Sequence, residues 1–259
     1  MSALLSVDDI HTYYGASHIL QGVSFELAAG EVFGILGRNG VGKTTTLQTI
    51  LGLPPPRSGS ISFKGKSILG LPTFAIVRSG VAWVPQGHRV LPSLTAMENL
   101  LLAAQHSRPG PWNIDNVLRQ FPILGERSNA RAGTLSGGEQ QMLAIARALV
   151  ANPELILMDE PSEGLSPRIV EEVGEIVSRL NRDGCAILIV EQNLSFALQV
   201  TKRVLVMNKG QIVYSGSAKE LAGNEAICRQ YLGLAASSTM RGDLLFDPEP
   251  NSDHDGRSL

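Results

Sequence analysis

The sequence predicts an α/β fold, a mainly parallel sheet flanked by helices, with a helical lobe inserted near the middle of the chain. Two patterns carry that reading. Strand-length apolar runs alternate with helical segments over residues 32–51 and again over 155–207, while residues 95–150 hold three helical patterns and no strand-like run. Consecutive strands joined through helices lie parallel, because a parallel pair cannot be connected by a tight turn.

Taken in order, residues 4–9 and 23–27 form a first strand pair, and Ala29-Gly30 leads into a third strand over 32–36. That strand runs into a glycine-rich segment, and a helix starts at Lys43 and continues until Gly52 and the triplet Pro54-Pro55-Pro56 stop it. A short strand and turn over 60–65, a short helix over 74–77 and a buried strand over 81–84 follow, with Trp83 expected in the core. The inserted lobe contains helices over 95–105, 117–124 and 139–150, with a breaker at 108–111. Alternation resumes with a strand at 155–158, a helix at 167–180 opened by Pro167, a strand at 186–190 and a short helix at 194–200. A strand at 204–207 and a hairpin turn into residues 212–214 complete the pattern. Residues 235–259 show no periodicity and are expected to be a disordered tail.

Composition narrows the function. The 259 residues are 43% hydrophobic, enough for a real core, and 22 basic residues against 24 acidic ones argue against a nucleic-acid binder. The tail is acidic, so the remaining chain carries a formal charge of about +1. Cys185 and Cys228 do not suggest a disulfide scaffold, and Asp8 and Asp9 stand where an export signal would need apolar residues. No uncharged apolar run approaches the ~20 residues of a membrane span. His11, His18, His88, His106 and His254 show no metal-ligand spacing and are read as surface or packing residues.

Three motifs carry chemistry. The run Gly37, Arg38, Asn39, Gly40, Val41, Gly42, Lys43, Thr44 fits the phosphate-binding pattern G-x-x-x-x-G-K-[ST] between a strand and a helix. Its glycines let backbone N–H groups turn toward a polyphosphate, Lys43 reaches the terminal phosphates, and the Thr44 hydroxyl can ligate Mg2+, with Thr45 following in the helix. An apolar strand ending in Asp159-Glu160 offers one carboxylate for a metal and another to activate a water. Leu135-Ser136-Gly137-Gly138-Glu139 opens a helix and by itself is compatible with a simple turn and cap.

In this order and spacing the three motifs resemble the ATP-binding cassette family, over residues 2–234. The resemblance implies a P-loop NTPase core with an N-terminal antiparallel β subdomain and a helical subdomain over about residues 87–152. It implies ATP and Mg2+ as ligands: Asp159 and Gln86 at the metal, Glu160 as the catalytic base, and Tyr14 stacked on adenine, with Tyr13 competing for that place. Ser136, Gly137 and Gly138 would contact the nucleotide held by a second cassette, so that two chains sandwich two ATP molecules. Gln192 stands where the family commonly has a histidine; a carboxamide can donate to phosphate and cannot shuttle a proton. Ser166 replaces the usual aspartate of the loop at the dimer contact. Tyr13-Tyr14-Gly15 and Tyr231-Leu232-Gly233 are similar to one branch, the cassette subunits of bacterial importers for branched-chain amino acids and their urea or short-chain amide relatives; Gln86 bears on that choice.

The implied role is a peripheral ATPase on the cytoplasmic face of the bacterial inner membrane, working with membrane permease subunits, a second cassette and an external solute-binding protein. The permease would dock in an apolar groove over residues 88–93 and 95–99. A non-transport cassette in DNA repair or on ribosomes, and an exporter subunit, are the competing readings.

Overall fold

The computed structural model describes residues 3–87 and 89–233; the predicted tail lies outside the described residues. Two sheets organise it. In the first, β1 (Leu5–Tyr14) pairs antiparallel with β2 (Ser17–Leu27) and with β4 (Ser58–Phe63), which continues into β5 (Lys66–Ser67). The second sheet has the order β10-β9-β3-β8-β7-β6 and comprises β3 (Val32–Leu36), β6 (Val81–Val84), β7 (Leu155–Asp159), β8 (Ala186–Glu191), β9 (Arg203–Asn208) and β10 (Gln211–Ser217). All its neighbours are parallel except β9 and β10, which the short turn at Lys209-Gly210 makes antiparallel.

Strands β3, β7 and β8 are buried along their whole length, as expected of parallel strands covered on both faces. One core lies between the antiparallel sheet and the main sheet and contains Leu47 and Ile50 of α1 (Lys43–Ile50). A second core packs the other face of the main sheet against α7 (Pro167–Arg182) and continues into the helical lobe.

The lobe contains α3 (Ala96–Ala104), α4 (Ile114–Gln120), α5 (Pro122–Glu126) and α6 (Gly137–Leu149), after a short two-turn helix α2 (Thr73–Ser79) that precedes β6. Thr95 and Ser136 begin α3 and α6 with complete capping boxes to Glu98 and Glu139. The continuous helix predicted over 117–124 is two helices, because Pro122 lacks the N–H that would continue α4 and instead opens α5. At the base of the lobe the Asn152 carboxamide accepts from Trp112 N–H at 2.8 Å and donates to the Trp112 carbonyl at 3.1 Å. Beside it, Glu154 takes Arg108 at 2.6 Å and Lys64 at 2.7 Å.

Two further expectations change. Trp83 is only half-buried, because it packs at the edge strand β6, and its indole N–H has no partner among the described residues. The groove expected around residues 88–99 is partly closed: Val90 packs on the core, and buried Asn99 clamps both backbone polar groups of Leu91. The exposed apolar side chains lie elsewhere, at Leu101 and Leu102 on α3 and at Leu69, Leu71, Phe74 and Val77 around α2. The C-terminal helices α9 (Ala218–Gly223) and α10 (Glu225–Ile227) follow α8 (Leu194–Val200); Leu221 of α9 and Cys228, just after α10, pack with Val204 and Val206 of β9.

The turn at Gly210 joins the two sheets to the phosphate loop. Its N–H donates to Val41 O at 2.8 Å, its carbonyl accepts from Gln21 N–H at 2.9 Å, and a Cβ there would stand 1.9 Å from Ile19 O at φ +78°. Gly210→Ala is expected to cost about 2–4 kcal/mol in chemical denaturation, from overpacking added to backbone strain. Gly15→Ala, at φ +58° with no atom near the added Cβ, is expected to cost only about 1 kcal/mol.

Candidate functional site

The glycine-rich segment lies at the C-terminal edge of the main sheet, where α/β folds place their ligands. Gly37 N–H donates to Glu191 O at 3.2 Å, and a Cβ on Gly37 would meet Met207 O at 2.6 Å, so the loop leaves β3 with its backbone against β8 and β9. Val41 turns its side chain into the core and pins the loop from beneath. Gly42 caps α1 at φ 112° without a side-chain bond. The helix thus opens toward the cavity with unpaired N–H groups that suit an anion.

A cavity of about 450 Å³ lies over this loop, lined by Tyr14, Ile19, Asn39, Gly40, Gly42, Lys43, Thr44, Thr45, Gln86 and Glu160. Lys43 is buried, and its ammonium group donates to Gly37 O at 2.8 Å and Arg38 O at 3.1 Å and pairs with Glu160 Oε1 at 2.9 Å. The Thr44 hydroxyl donates to Asp159 Oδ1 at 2.9 Å, while Asp159 Oδ2 is buried without a partner among the described residues. Burial, with the Glu160 charge adding to it, pushes the Asp159 carboxyl up to about 6, against the Thr44 hydrogen bond and the positive charges of Lys43 and Arg89. Glu160 sits at φ 46° and donates its own N–H to Val190 O at 2.9 Å, which turns its side chain out of the strand register. Gln86 donates its amide to Glu163 Oε2 at 2.8 Å and to Glu160 Oε2 at 3.3 Å.

The two adjacent tyrosines separate. Tyr14 is 48% exposed at the cavity with its hydroxyl on Gln48 Oε1 at 2.8 Å. The Tyr13 ring is already occupied, by the stacked His18 ring at 4.1 Å and the Arg57 guanidinium at 4.0 Å. That leaves Tyr14 free to take a planar ring.

Eight predicted residues are not in the cavity lining: Gly37, Arg38, Val41 and Asp159 belong to the loop and strand end that carry it, whereas Ser136, Gly137, Gly138 and Gln192 lie on other segments. Ser136 and Gly137 are exposed, and Gly138 is buried where a Cβ would meet Ile169 of α7 at 2.9 Å, so its small size serves helix packing. Gln192 is exposed at the turn after β8. Arg38, also exposed, contributes its backbone carbonyl to Lys43.

Sequence reasoning passed over Glu191. It is buried at the end of β8, and its carboxylate accepts from the N–H groups of Ser162 at 3.0 Å and of Gln192 and Asn193 at 2.9 Å each. Burial raises its pKa and the backbone donors oppose the shift. Its only sequence signal is an acid closing an otherwise apolar strand, the same signal that marked Asp159.

Residues 20–163 match the family profile described as ABC transporter. The chain is 44% identical over 232 residues to the high-affinity branched-chain amino acid transport ATP-binding protein BraG of Pseudomonas aeruginosa, covering 89% of this chain and 100% of that one. It is 31% identical to LivG of Salmonella typhimurium, also a high-affinity branched-chain amino acid transport ATP-binding protein, over 90% of this chain and 98% of that one. It is 32% identical to the lipopolysaccharide export ATP-binding protein LptB of Haemophilus influenzae, over 89% and 98% respectively. Among solved structures, MJ1267, an ATP-binding cassette of an ABC transporter, superposes with a TM-score of 0.78 at 27% identity, over 91% of this chain and all of that one. The dimeric bacterial transporter cassette MJ0796 superposes with a TM-score of 0.74 at 25% identity, over 83% and 98%. A phosphate loop, a carboxylate pair and a cassette topology in one cavity, with these relatives over nearly the whole described chain, make it a member of the ABC transporter family, an ATP-binding, ATP-hydrolysing subunit of a transporter.

Proposed function

We propose that this ATPase powers the uptake of branched-chain amino acids, bound to membrane permease subunits at the inner face of a bacterial inner membrane and supplied by an external solute-binding protein. The observation that carries the solute class is the 44% identity to BraG over that protein's entire length, against 32% to the export protein LptB. Among the described residues no helix is long and apolar enough to cross a membrane, so the subunit takes its channel from partners. The exposed apolar residues around α2 and on α3 offer them a contact surface.

Within the site, adenine stacks on Tyr14 and the phosphates lie along Gly37 to Thr45, with Lys43 on the terminal ones. Lys43 is shared between Glu160 and two backbone carbonyls. A polyphosphate competes for the ammonium group, and the Glu160 carboxylate that it releases is the base for the attacking water. Gln86 holds that carboxylate from the other side and positions it. Gln192 reports on the terminal phosphate as a donor only.

Mg2+ fits the donor set, because the orphaned Oδ2 of Asp159 is buried beside the Thr44 hydroxyl. Asp159, Thr44 and Gln86 would hold it, and its charge would offset that developing on the phosphate oxygens. Ser136 and Gly137, exposed outside the chain's own cavity, serve the nucleotide of a second cassette together with the backbone of Gly138, and two chains close on two ATP molecules.

Glu160→Gln keeps a hydrogen-bonding partner for Lys43, so it is expected to bind ATP and dimerise stably with it, while ATP turnover falls at least a hundredfold; parental turnover would disprove the base assignment. In the reconstituted transporter, a leucine-loaded binding protein is expected to stimulate ATPase activity severalfold; stimulation by urea or a short amide instead would overturn the solute class. A third test uses Asp159 in the ligand-free chain. Burial raises its carboxyl from the ordinary 3.8 to about 6, so between those pH values the folded state binds more protons than the unfolded one. Its ionisation therefore costs stability as pH rises from about 4 to 6, and the cost is full above that. Asp159→Asn is expected to be more stable than the parent by about 1–3 kcal/mol at pH 8 and equal to it below pH 4, by urea denaturation.

A further inference from the structure

The β1–β2 hairpin carries a cluster of ligating side chains that the nucleotide site does not use. His11 on β1 and His18 on β2 are diagonal neighbours across the pair, and His11 Nδ1 and His18 Nε2 share a hydrogen bond at 3.0 Å, so one ring nitrogen carries a proton that an ion would replace. Two imidazole nitrogens on one transition-metal ion, each about 2.0–2.1 Å from it, lie about 2.9 Å apart at right angles and about 3.4 Å apart in a tetrahedron. The observed separation already falls at that spacing. Seven residues of sequence separation hide it, because only the strand pairing brings the rings together.

Both rings are oriented from behind. His11 Nε2 lies 3.3 Å from Asp9 Oδ1, the carboxylate–histidine arrangement that fixes the tautomer of a metal-binding imidazole. Asp9 reaches it from an irregularity in the β1–β2 register, at φ 47°, with its N–H on the Ser24 hydroxyl at 2.8 Å. Position 22 accommodates the pair by having no side chain: a Cβ there would stand 3.0 Å from Asp9 Oδ1. His18 is held by its stacking on Tyr13, whose ring also carries Arg57. His11 is 29% exposed, so water can complete a coordination sphere. No group of three or more His, Cys, Asp or Glu among the described residues is arranged around one metal position, and the site is a two-ligand one.

From this geometry we infer that His11 and His18 form a binding site for a borderline divalent transition-metal ion, of the Zn2+, Ni2+ or Cu2+ class, with Asp9 positioning His11. Two neutral nitrogens select these ions over Mg2+ and Ca2+, which take oxygen ligands. In the bound form His11 Nδ1 and His18 Nε2 both turn lone pairs to the ion, and the remaining ring protons sit on the opposite nitrogens, His11 Nε2–H donating to Asp9. The ion staples β1 to β2 three residues before Tyr14.

The test titrates the full chain, stripped of metal and nucleotide, with Zn2+ by calorimetry and with Cu2+ by electron paramagnetic resonance. The parent is expected to show one tight site with two equatorial nitrogens. His11→Ala and His18→Ala should each lose one nitrogen and at least tenfold in Zn2+ affinity. Asp9→Asn should keep both nitrogens and lose about tenfold. His18→Asn retains a hydrogen-bonding group beside His11, so a folded hairpin by circular dichroism with the same loss separates a lost ligand from a lost strand pair. Unchanged affinity and nitrogen count in the histidine variants would overturn the site.

Discussion

The ion pair between Lys43 and Glu160 is the constraint around which the catalytic edge is built. Its partners come from the ends of β3 and β7, which are not neighbours; β8 stands between them. The pair therefore forms only if β8 holds the two loops at the right spacing. It does so with its backbone, Val190 O taking Glu160 N–H and Glu191 O taking Gly37 N–H. A buried ion pair contributes little net stability once desolvation is counted, and removing one partner alone costs about 3–5 kcal/mol. Its value lies in holding Glu160 at one place and in being exchangeable, since a phosphate offers Lys43 a stronger partner than a carboxylate does.

Around that pair the chain brings together groups of different origin. The parallel sheet presents Asp159 and Glu160, the helix start presents Lys43 and Thr44, and the antiparallel sheet presents Tyr14. Gln86 leaves the edge strand β6 and reaches back across β7 to touch Glu160 and Glu163 together. Among the described residues the helical lobe contributes none to the lining, and its motif at Ser136 is exposed. In the proposed pairing of two cassettes, the exposed Ser136 motif of one chain would meet the nucleotide held over the phosphate loop of the other.

Much of this was legible because it is periodic or punctuated. Strands buried on both faces read as short apolar runs, and the starts of α1 and α7 were marked by Gly42 and Pro167. The split at Pro122 was legible in principle, since a proline cannot sit inside a helix without a break, but the surrounding apolar residues suggested one continuous face. Other features depend on pairings that no local pattern encodes. Glu191 became important through three N–H groups from loops on either side of it, Gly138 through the approach of Ile169, and the two histidines through strand register. Trp83 was misplaced because apolar pattern alone cannot separate a central strand from an edge one.

The contact of Gly210 N–H with Val41 O has a thermodynamic consequence beyond packing. The phosphate loop is held on one side by a hairpin turn that begins some 170 residues later and lies outside the cavity lining. Whatever free energy the nucleotide contributes by ordering the loop is shared with that turn, and any loosening of the turn is subtracted from the affinity. Nucleotide occupancy and the cohesion of the C-terminal strand pair are thus two readings of a single linked equilibrium.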